Sequence, residues 1–166
     1  AELIDEGRMA RLPGFAKRTR WFLENRPDLA ATISHLEKRE GGCGKFLLAI
    51  PSRARLERVL RYVLDEAEFL SGHGVRSLSR AYRDRPFTLR VNGSEWSVGY
   101  APGESDTGLF GGNSNWRGPV WMPMNYLLIE ALERYHHFYG DSFLLEFPTG
   151  SGRKLNLAQI ARELAR

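Results

Sequence analysis

Apolar residues recur at steps of three and four along residues 52–70, and this helical periodicity constrains the fold more than any other feature of the sequence. A single helix over this stretch would carry one buried apolar stripe, formed by positions 56, 59, 60, 63, 64, 67 and 70. Ser52 is suited to cap the N-terminus of that helix, and Gly72-His73-Gly74 would end it. A chain with this pattern is expected to fold mainly as α-helices.

Further helices are predicted on both sides of this stretch. Pro13 suits a first helical turn, and that helix would end near Asn25-Arg26, because Pro27 disfavours helical geometry in the residue before it. A second short helical pattern covers residues 29–36, before Gly41-Gly42-Cys43-Gly44 breaks the chain. These signals extend the helical prediction to the N-terminal third.

The C-terminal third also has helical signals. Pro123 suits the first turn of a helix that would end at Gly140, with an apolar stripe at Met124, Leu128, Ala131, Tyr135 and Phe138. Asn156 would cap a last helix, with Gln159 at the reciprocal capping-box position. The buried face of that helix is predicted to contain Leu157, Ile160, Ala161 and Leu164.

Asn92-Gly93 predicts a β-hairpin, because both central residues of a type I′ turn need a positive φ. A two-residue turn at this point pairs Leu89 with Trp96 and Arg90 with Glu95. The apolar face of the hairpin would then contain Phe87, Leu89, Trp96 and Val98. Such a ribbon is expected to lie on the helical body, with Leu89 and Trp96 pointing inward together.

The 166 residues fit one globular segment, and the chain contains one cysteine, Cys43. One cysteine cannot form an intramolecular disulfide, which favours a reducing, cytoplasmic location; no leader peptide and no membrane span are expected. The net charge is +4, but acidic residues interrupt the arginines of the 52–70 helix, so neither nucleic acid nor membrane is a predicted partner. No metal site or cofactor is predicted, since the adjacent His136 and His137 would point in different directions on a helix.

Residues 108–125 are the unusual stretch, with two of the four tryptophans, four glycines, three asparagines and one arginine. Glycine permits close backbone approach, tryptophan offers a flat apolar face, and asparagine and arginine supply donors for hydroxyl groups. This composition, just before a helix, suits the wall of a pocket for a polyhydroxylated ligand. The alternative is that Trp116 and Trp121 fill the core while the glycines and asparagines only make turns.

The run Gly-Gly-Asn-Ser-Asn-Trp-Arg-Gly-Pro-Val-Trp at 111–121, followed by Asn125-Tyr126-Leu127, resembles the signature of glycoside hydrolase family 63 and its bacterial relatives. That family includes processing α-glucosidases and mannosylglycerate hydrolases. Residues 74–79 resemble the family's loop before the hairpin, and residues 104–108 resemble the lead-in to the signature. The resemblance covers most of the chain and is weakest before residue 40.

The resemblance implies a partial (α/α)6 toroid with one β-hairpin insertion, so that residues 1–166 would be one segment of a larger catalytic domain. It implies an inverting hydrolase of α-linked glucosides or mannosides. Its catalytic acid would be an Asp upstream of this chain, and its catalytic base would be a Glu downstream. The segment alone is then expected to be inactive, with an oligosaccharide or small glycoside and the rest of the polypeptide as its partners. No catalytic residue is assigned within it. The residues expected to bind substrate are Arg76, Glu104, Asn113, Trp116, Arg117, Trp121 and Asn125.

Three alternatives remain open at this point. Glu104 and Asp106 are rival catalytic candidates, because two residues apart on an extended segment they could project into one cleft. The protein could also be a non-catalytic carbohydrate-binding relative that keeps the aromatic wall. A third possibility is a helical protein-interaction module that uses the basic helix 52–70 as its contact surface and has no open apolar face.

Overall fold

A computed structural model describes residues 1–30, 35–38, 45–103 and 119–166. Helices make up about 48% of this structure, and the sheets are small and antiparallel, so the mainly α prediction is confirmed. The helices are α1 (Glu6–Arg11), α2 (Pro13–Asn25), α3 (Pro27–Ala30), α4 (Arg53–Val63), α5 (Met122–Tyr139) and α6 (Leu157–Leu164). None of the described helices is long and apolar enough to cross a membrane.

The strands form one three-stranded sheet and three two-stranded ribbons among the described residues. They are β1 (Glu2–Asp5), β2 (His35–Lys38), β3 (Lys45–Ala49), β4 (Leu70–Ser71), β5 (Gly74–Val75), β6 (Phe87–Val91), β7 (Ser94–Val98), β8 (Leu144–Glu146) and β9 (Lys154–Asn156). Strand β3 pairs with both β1 and β2, which corrects the predicted helical pattern of residues 29–36 at its last two residues, His35 and Leu36. Pairing with β3 overrides the local pattern at these two residues, whereas Pro27–Ala30 is helical and residues 31–34 lie outside the described residues.

The core lies where α4, α5 and α6 meet the β8–β9 ribbon. Leu60 of α4, Leu132 of α5 and Ile160 of α6 are each at most 1% exposed. Asn156 caps α6 as predicted, because its side chain accepts from the Gln159 amide while Gln159 bonds back to the Asn156 amide. The predicted inner face of α6 is confirmed: Leu157, Ile160 and Ala161 are buried, and Leu164 packs against the same cluster.

Helix α4 ends at Val63, seven residues earlier than its apolar pattern predicts. The Asp65 carboxylate accepts a 2.8 Å bond from the Ala67 amide, a local turn that competes with helical geometry. Thr149 completes the end of the helix: its amide donates to the Leu64 carbonyl, and its hydroxyl donates to the Arg61 carbonyl. Leu70 therefore reaches the core from strand β4 rather than from the helix.

The β6–β7 hairpin has the predicted register, with Leu89 opposite Trp96 and Arg90 opposite Glu95. Asn92 and Gly93 both have positive φ, at 51° and 81°, as a type I′ turn requires. The expected packing is wrong, because Leu89 and Trp96 are each 49% exposed. A turn sets the register locally, whereas burial of the apolar face depends on a covering surface, and this face is open to solvent.

Helix α5 begins at Met122 and is followed by Gly140 at φ 65°, as predicted. Its predicted apolar stripe is confirmed except at the first position: Tyr135 and Phe138 are buried, and Leu128 and Ala131 pack against the core. Met124, by contrast, is 51% exposed, and Asn125 beside it is buried. The first turn contacts the β4–β5 ribbon through Asn125 instead of burying Met124. The N-terminal half of α5 consequently presents an open apolar surface, formed by Met122, Met124, Tyr126 and Leu127.

Candidate functional site

Asn125 joins the first turn of α5 to strand β5. Its side-chain oxygen accepts a 2.7 Å bond from the Val75 amide, and its side-chain nitrogen donates to the carbonyls of Val75 at 3.0 Å and Trp121 at 3.1 Å. The residue is only 7% exposed. A Cβ on Gly74 would lie 2.9 Å from the Asn125 oxygen, so glycine is what allows this close approach.

Arg76 follows Val75, and its guanidinium donates hydrogen bonds to the turn between α4 and β4. Its Nη1 donates to the carbonyls of Glu66 at 3.1 Å and Glu68 at 3.3 Å, and also to that of Leu70. Its guanidinium carbon lies 5.8 Å from the centre of the Tyr100 ring. Its Nε is buried and has no hydrogen-bond partner among the residues that the structure describes. The guanidinium is therefore held in place by backbone carbonyls on one side.

Trp121 lies at the N-terminus of α5, in extended geometry, and its carbonyl accepts from the amides of Met124 and Asn125 as well as from the Asn125 side chain. The side chain is only partly buried, so Trp121 does not fill the core as the alternative interpretation required. Trp121, Asn125 and Arg76 share the wall of one cleft of about 420 Å³. The remaining lining is mostly apolar and consists of Val63, Phe69, Val75, Ser77, Met124 and Leu128. We call this space the Trp121 cleft.

A larger cleft of about 630 Å³ also meets the first turn of α5, and Asn125 lines both spaces. The second cleft carries more charged groups, among them Glu66, Glu163 and Arg166. Arg153 donates a 2.8 Å bond to Glu163, which lowers the pKa of the Glu163 carboxyl and keeps it ionised. A carboxylate held in this way suits an ion pair better than proton donation at neutral pH.

Of the residues expected to bind substrate, the structure brings Arg76, Trp121 and Asn125 together. The other four, Glu104, Asn113, Trp116 and Arg117, lie outside the described residues, as does the rival carboxylate Asp106. Sequence reasoning interpreted Gly74 as part of a helix stop and of the loop at 74–79, but missed its close approach to Asn125. The two glycines between the apolar residues Leu70 and Val75 are a signal for a tight hairpin, which would have predicted the β4–β5 ribbon.

The basic face of α4 is partly engaged within the protein. The Arg53 guanidinium lies over the rings of Phe143 and Tyr139, at 4.8 and 5.3 Å, and Arg61 forms a 2.8 Å ion pair with Glu57. Among the described residues, no three His, Cys, Asp or Glu side chains converge as metal ligands. The interaction-module hypothesis required no open apolar face, so the exposed faces of α5 and the β6–β7 hairpin disfavour it.

Comparison with known families decides the relationship. The sequence model of one family, the mannosylglycerate hydrolase MGH1-like glycoside hydrolase domain, matches residues 10–166. The chain belongs to this glycoside hydrolase family. The match confirms the resemblance drawn from residues 111–127.

A relative of the MGH1-like chain is the uncharacterized protein YMR196W of Saccharomyces cerevisiae. The two are 49% identical over 152 residues, which cover 91% of this chain and 14% of the yeast protein. The chain thus spans about a seventh of the length of that relative. No solved structure shows significant similarity to the chain.

Proposed function

We propose that residues 1–166 form part of the catalytic domain of an inverting glycoside hydrolase that acts on α-linked glucosides or mannosides. The observation that carries the proposal is the Trp121 cleft, which Trp121 and Arg76 line together at the start of α5. Trp121 is the last residue of the run 111–121 that resembles the family 63 signature. Family membership supports glycoside hydrolysis, whereas the α linkage and the inversion rest on that resemblance.

The cleft walls suit a sugar ring. An apolar wall with a tryptophan can pack against the C–H face of a pyranose, while the indole N–H and nearby polar groups meet its hydroxyls. The Trp121 carbonyl accepts three hydrogen bonds from the first turn of α5, and these bonds hold the Trp121 backbone in place. Such fixed placement favours discrimination between sugar transition states. We propose that Glu104, Asn113, Trp116 and Arg117 complete the same subsite.

The hydrolysis itself would need two carboxyl groups, one to protonate the leaving oxygen and one to activate water on the opposite face. We propose that an Asp and a Glu elsewhere in the polypeptide supply them, on other loops of an (α/α)6 toroid. Glu163 is a poor acid because Arg153 stabilises its ionised form. The role of this segment is then to bind and orient the sugar, and the segment by itself should not hydrolyse it.

The test is hydrolysis by the purified full-length protein of a panel of α-glucosides and α-mannosides, mannosylglycerate included. Proton NMR of the first product identifies the stereochemistry, and release of the β-anomer is the expected result of inversion. Release of the α-anomer would contradict the proposed mechanism. Binding without any hydrolysis would point instead to a non-catalytic carbohydrate-binding relative.

Arg117→Lys tests the predicted subsite directly. Lysine keeps the charge but loses the planar fork of donors, so the substitution is not conservative at a site that recognises hydroxyls. We expect kcat/KM to fall by about 10- to 10³-fold, equivalent to about 1.4–4 kcal/mol of transition-state stabilisation. Thermal unfolding is measured alongside. If Arg117→Lys and Trp116→Phe both keep the parental kcat/KM with unchanged melting, the motif is only structural.

A further inference from the structure

We propose that Asn125 is a positioning residue that sets the distance between Trp121 and Arg76 across the cleft without itself binding sugar. This inference rests on the proposed function and assigns a mechanical role within the same site. Its basis is that one buried amide bonds directly to Trp121 and to Val75, the residue that precedes Arg76. The Asn125 side chain therefore bridges the two walls of the cleft, beside a backbone bond of 2.8 Å from the Ser77 amide to the Pro119 carbonyl.

The surroundings of the amide permit one orientation. The Val75 amide can only donate, so it requires the side-chain oxygen. The carbonyls of Val75 and Trp121 can only accept, so both require the side-chain nitrogen. Both hydrogens of the Asn125 amide are thus used by the backbone, which leaves no N–H group to donate to a sugar hydroxyl. The bonding pattern favours positioning over direct recognition.

The link joins parts of the chain that are far apart in sequence. Val75 and Asn125 are separated by 50 residues. On the β5 side, the Arg76 amide donates to the Phe69 carbonyl at 2.8 Å, and the Arg76 guanidinium bonds to the turn that follows α4. On the α5 side, Trp121 is the residue at the helix N-terminus. A shift of β5 against α5 would consequently move Arg76 relative to Trp121.

Gly74 shows how closely the two elements approach. Its φ is +115°, and a Cβ there would meet Asn125 Oδ1 at 2.9 Å and Val120 Cγ1 at 3.3 Å. Glycine at position 74 therefore leaves space for the Asn125 amide, which a larger side chain on β5 would occupy. This contact constrains the separation of β5 and α5 in addition to the hydrogen bonds.

The experiment compares Asn125→Ala, Asn125→Asp and the control Asn156→Ala in the full-length protein. Asn156→Ala removes the cap of α6 and destabilises the fold, but Asn156 bonds to Asp141, just beyond the far end of α5. At the helical rise of 1.5 Å per residue, that end lies roughly 20 Å from Asn125. The control therefore loses a comparable polar side chain away from the cleft.

We expect Asn125→Ala to lower kcat/KM by about 10- to 100-fold, mainly through kcat, because small misplacements of positioning groups have effects of this size. Asn125→Asp should lose as much, since its second oxygen would face two carbonyls in place of a donor. Asn156→Ala should lower the melting temperature with kcat and KM unchanged. Hydrogen exchange should show faster exchange of the Val75 amide in Asn125→Ala and no change there in Asn156→Ala.

The outcomes separate this inference from the proposed function. If the wild-type protein hydrolyses glycosides and Asn125→Ala keeps its kcat/KM, the positioning role is overturned while the proposed function stands. The role is also overturned if Asn156→Ala loses as much activity as Asn125→Ala, because activity would then follow stability alone, or if Val75 keeps its protection. A wild-type protein that hydrolyses none of the panel overturns the proposed function first, and this inference with it.

Discussion

Gly74→Ala should destabilise the protein, and Gly72→Ala, two residues earlier, is its matched control. Gly74 has φ +115°, which L residues rarely adopt, and a Cβ there would lie 2.9 Å from the Asn125 oxygen. Gly72 has no positive φ, and a Cβ there would meet nothing within 4 Å. The two substitutions add the same methyl group to the same ribbon, so their difference isolates the strain and the contact.

The magnitude follows from two contributions. Backbone strain at such a φ costs about 1–3 kcal/mol. Displacing the Asn125 amide weakens bonds worth about 1 kcal/mol each, which makes a total of about 2–4 kcal/mol. In a cooperative unit of about 150–250 residues each kcal/mol corresponds to about 2–4 °C in melting temperature, and the shift is smaller in a larger unit. Gly72→Ala should instead be neutral or stabilise by about 0.4–1 kcal/mol, because alanine restricts the unfolded chain.

The assay is thermal unfolding of both variants in the full-length protein, followed by circular dichroism and by hydrogen exchange of the peptide that contains Val75. We expect Gly74→Ala alone to melt earlier and to lose protection at Val75. Equal melting temperatures for the two variants would refute the reasoning, since neither the strain nor the contact with Asn125 would then have a measurable cost.

Three further predictions concern stability. Ile160→Ala should lower the free energy of unfolding, measured in urea, by about 2–5 kcal/mol because the side chain is fully buried. Leu144→Ala, at a site 49% exposed, should lower it much less, and similar losses would contradict the assigned core. Asn156→Ala should cost about 0.5–2 kcal/mol through loss of the α6 cap, and an unchanged urea midpoint would contradict the capping role. Arg153 lowers the pKa of Glu163, so the pair stabilises the fold above the usual carboxyl pKa of 4.5, and this contribution is lost as the pH falls through the lowered value. Urea midpoints on both sides of pH 4.5 should therefore depend less on pH in Glu163→Gln, and an unchanged pH dependence would contradict the pairing.

Features that depend on a few neighbouring residues were predictable from the sequence. Asn92-Gly93 determined the hairpin register, and Asn156 determined the start of α6, because turn and cap geometry involve bonds within three or four residues. Pro13 and Pro27 likewise bounded α2. The motif at 111–127 indicated the glycoside hydrolase family, and its lead-in to α5 directed attention to Trp121 and Asn125 before any geometry was known.

Features that depend on contacts between distant residues were decided only by the tertiary structure. The end of α4 depends on Thr149, which bonds to a carbonyl 88 residues away, and the bonding of Asn125 depends on a strand 50 residues away. The apolar face of the hairpin was predictable, but its exposure was not. Periodicity shows which side chains can be buried together, whereas burial itself requires a second surface, and the position of that surface is set by the packing of the whole chain.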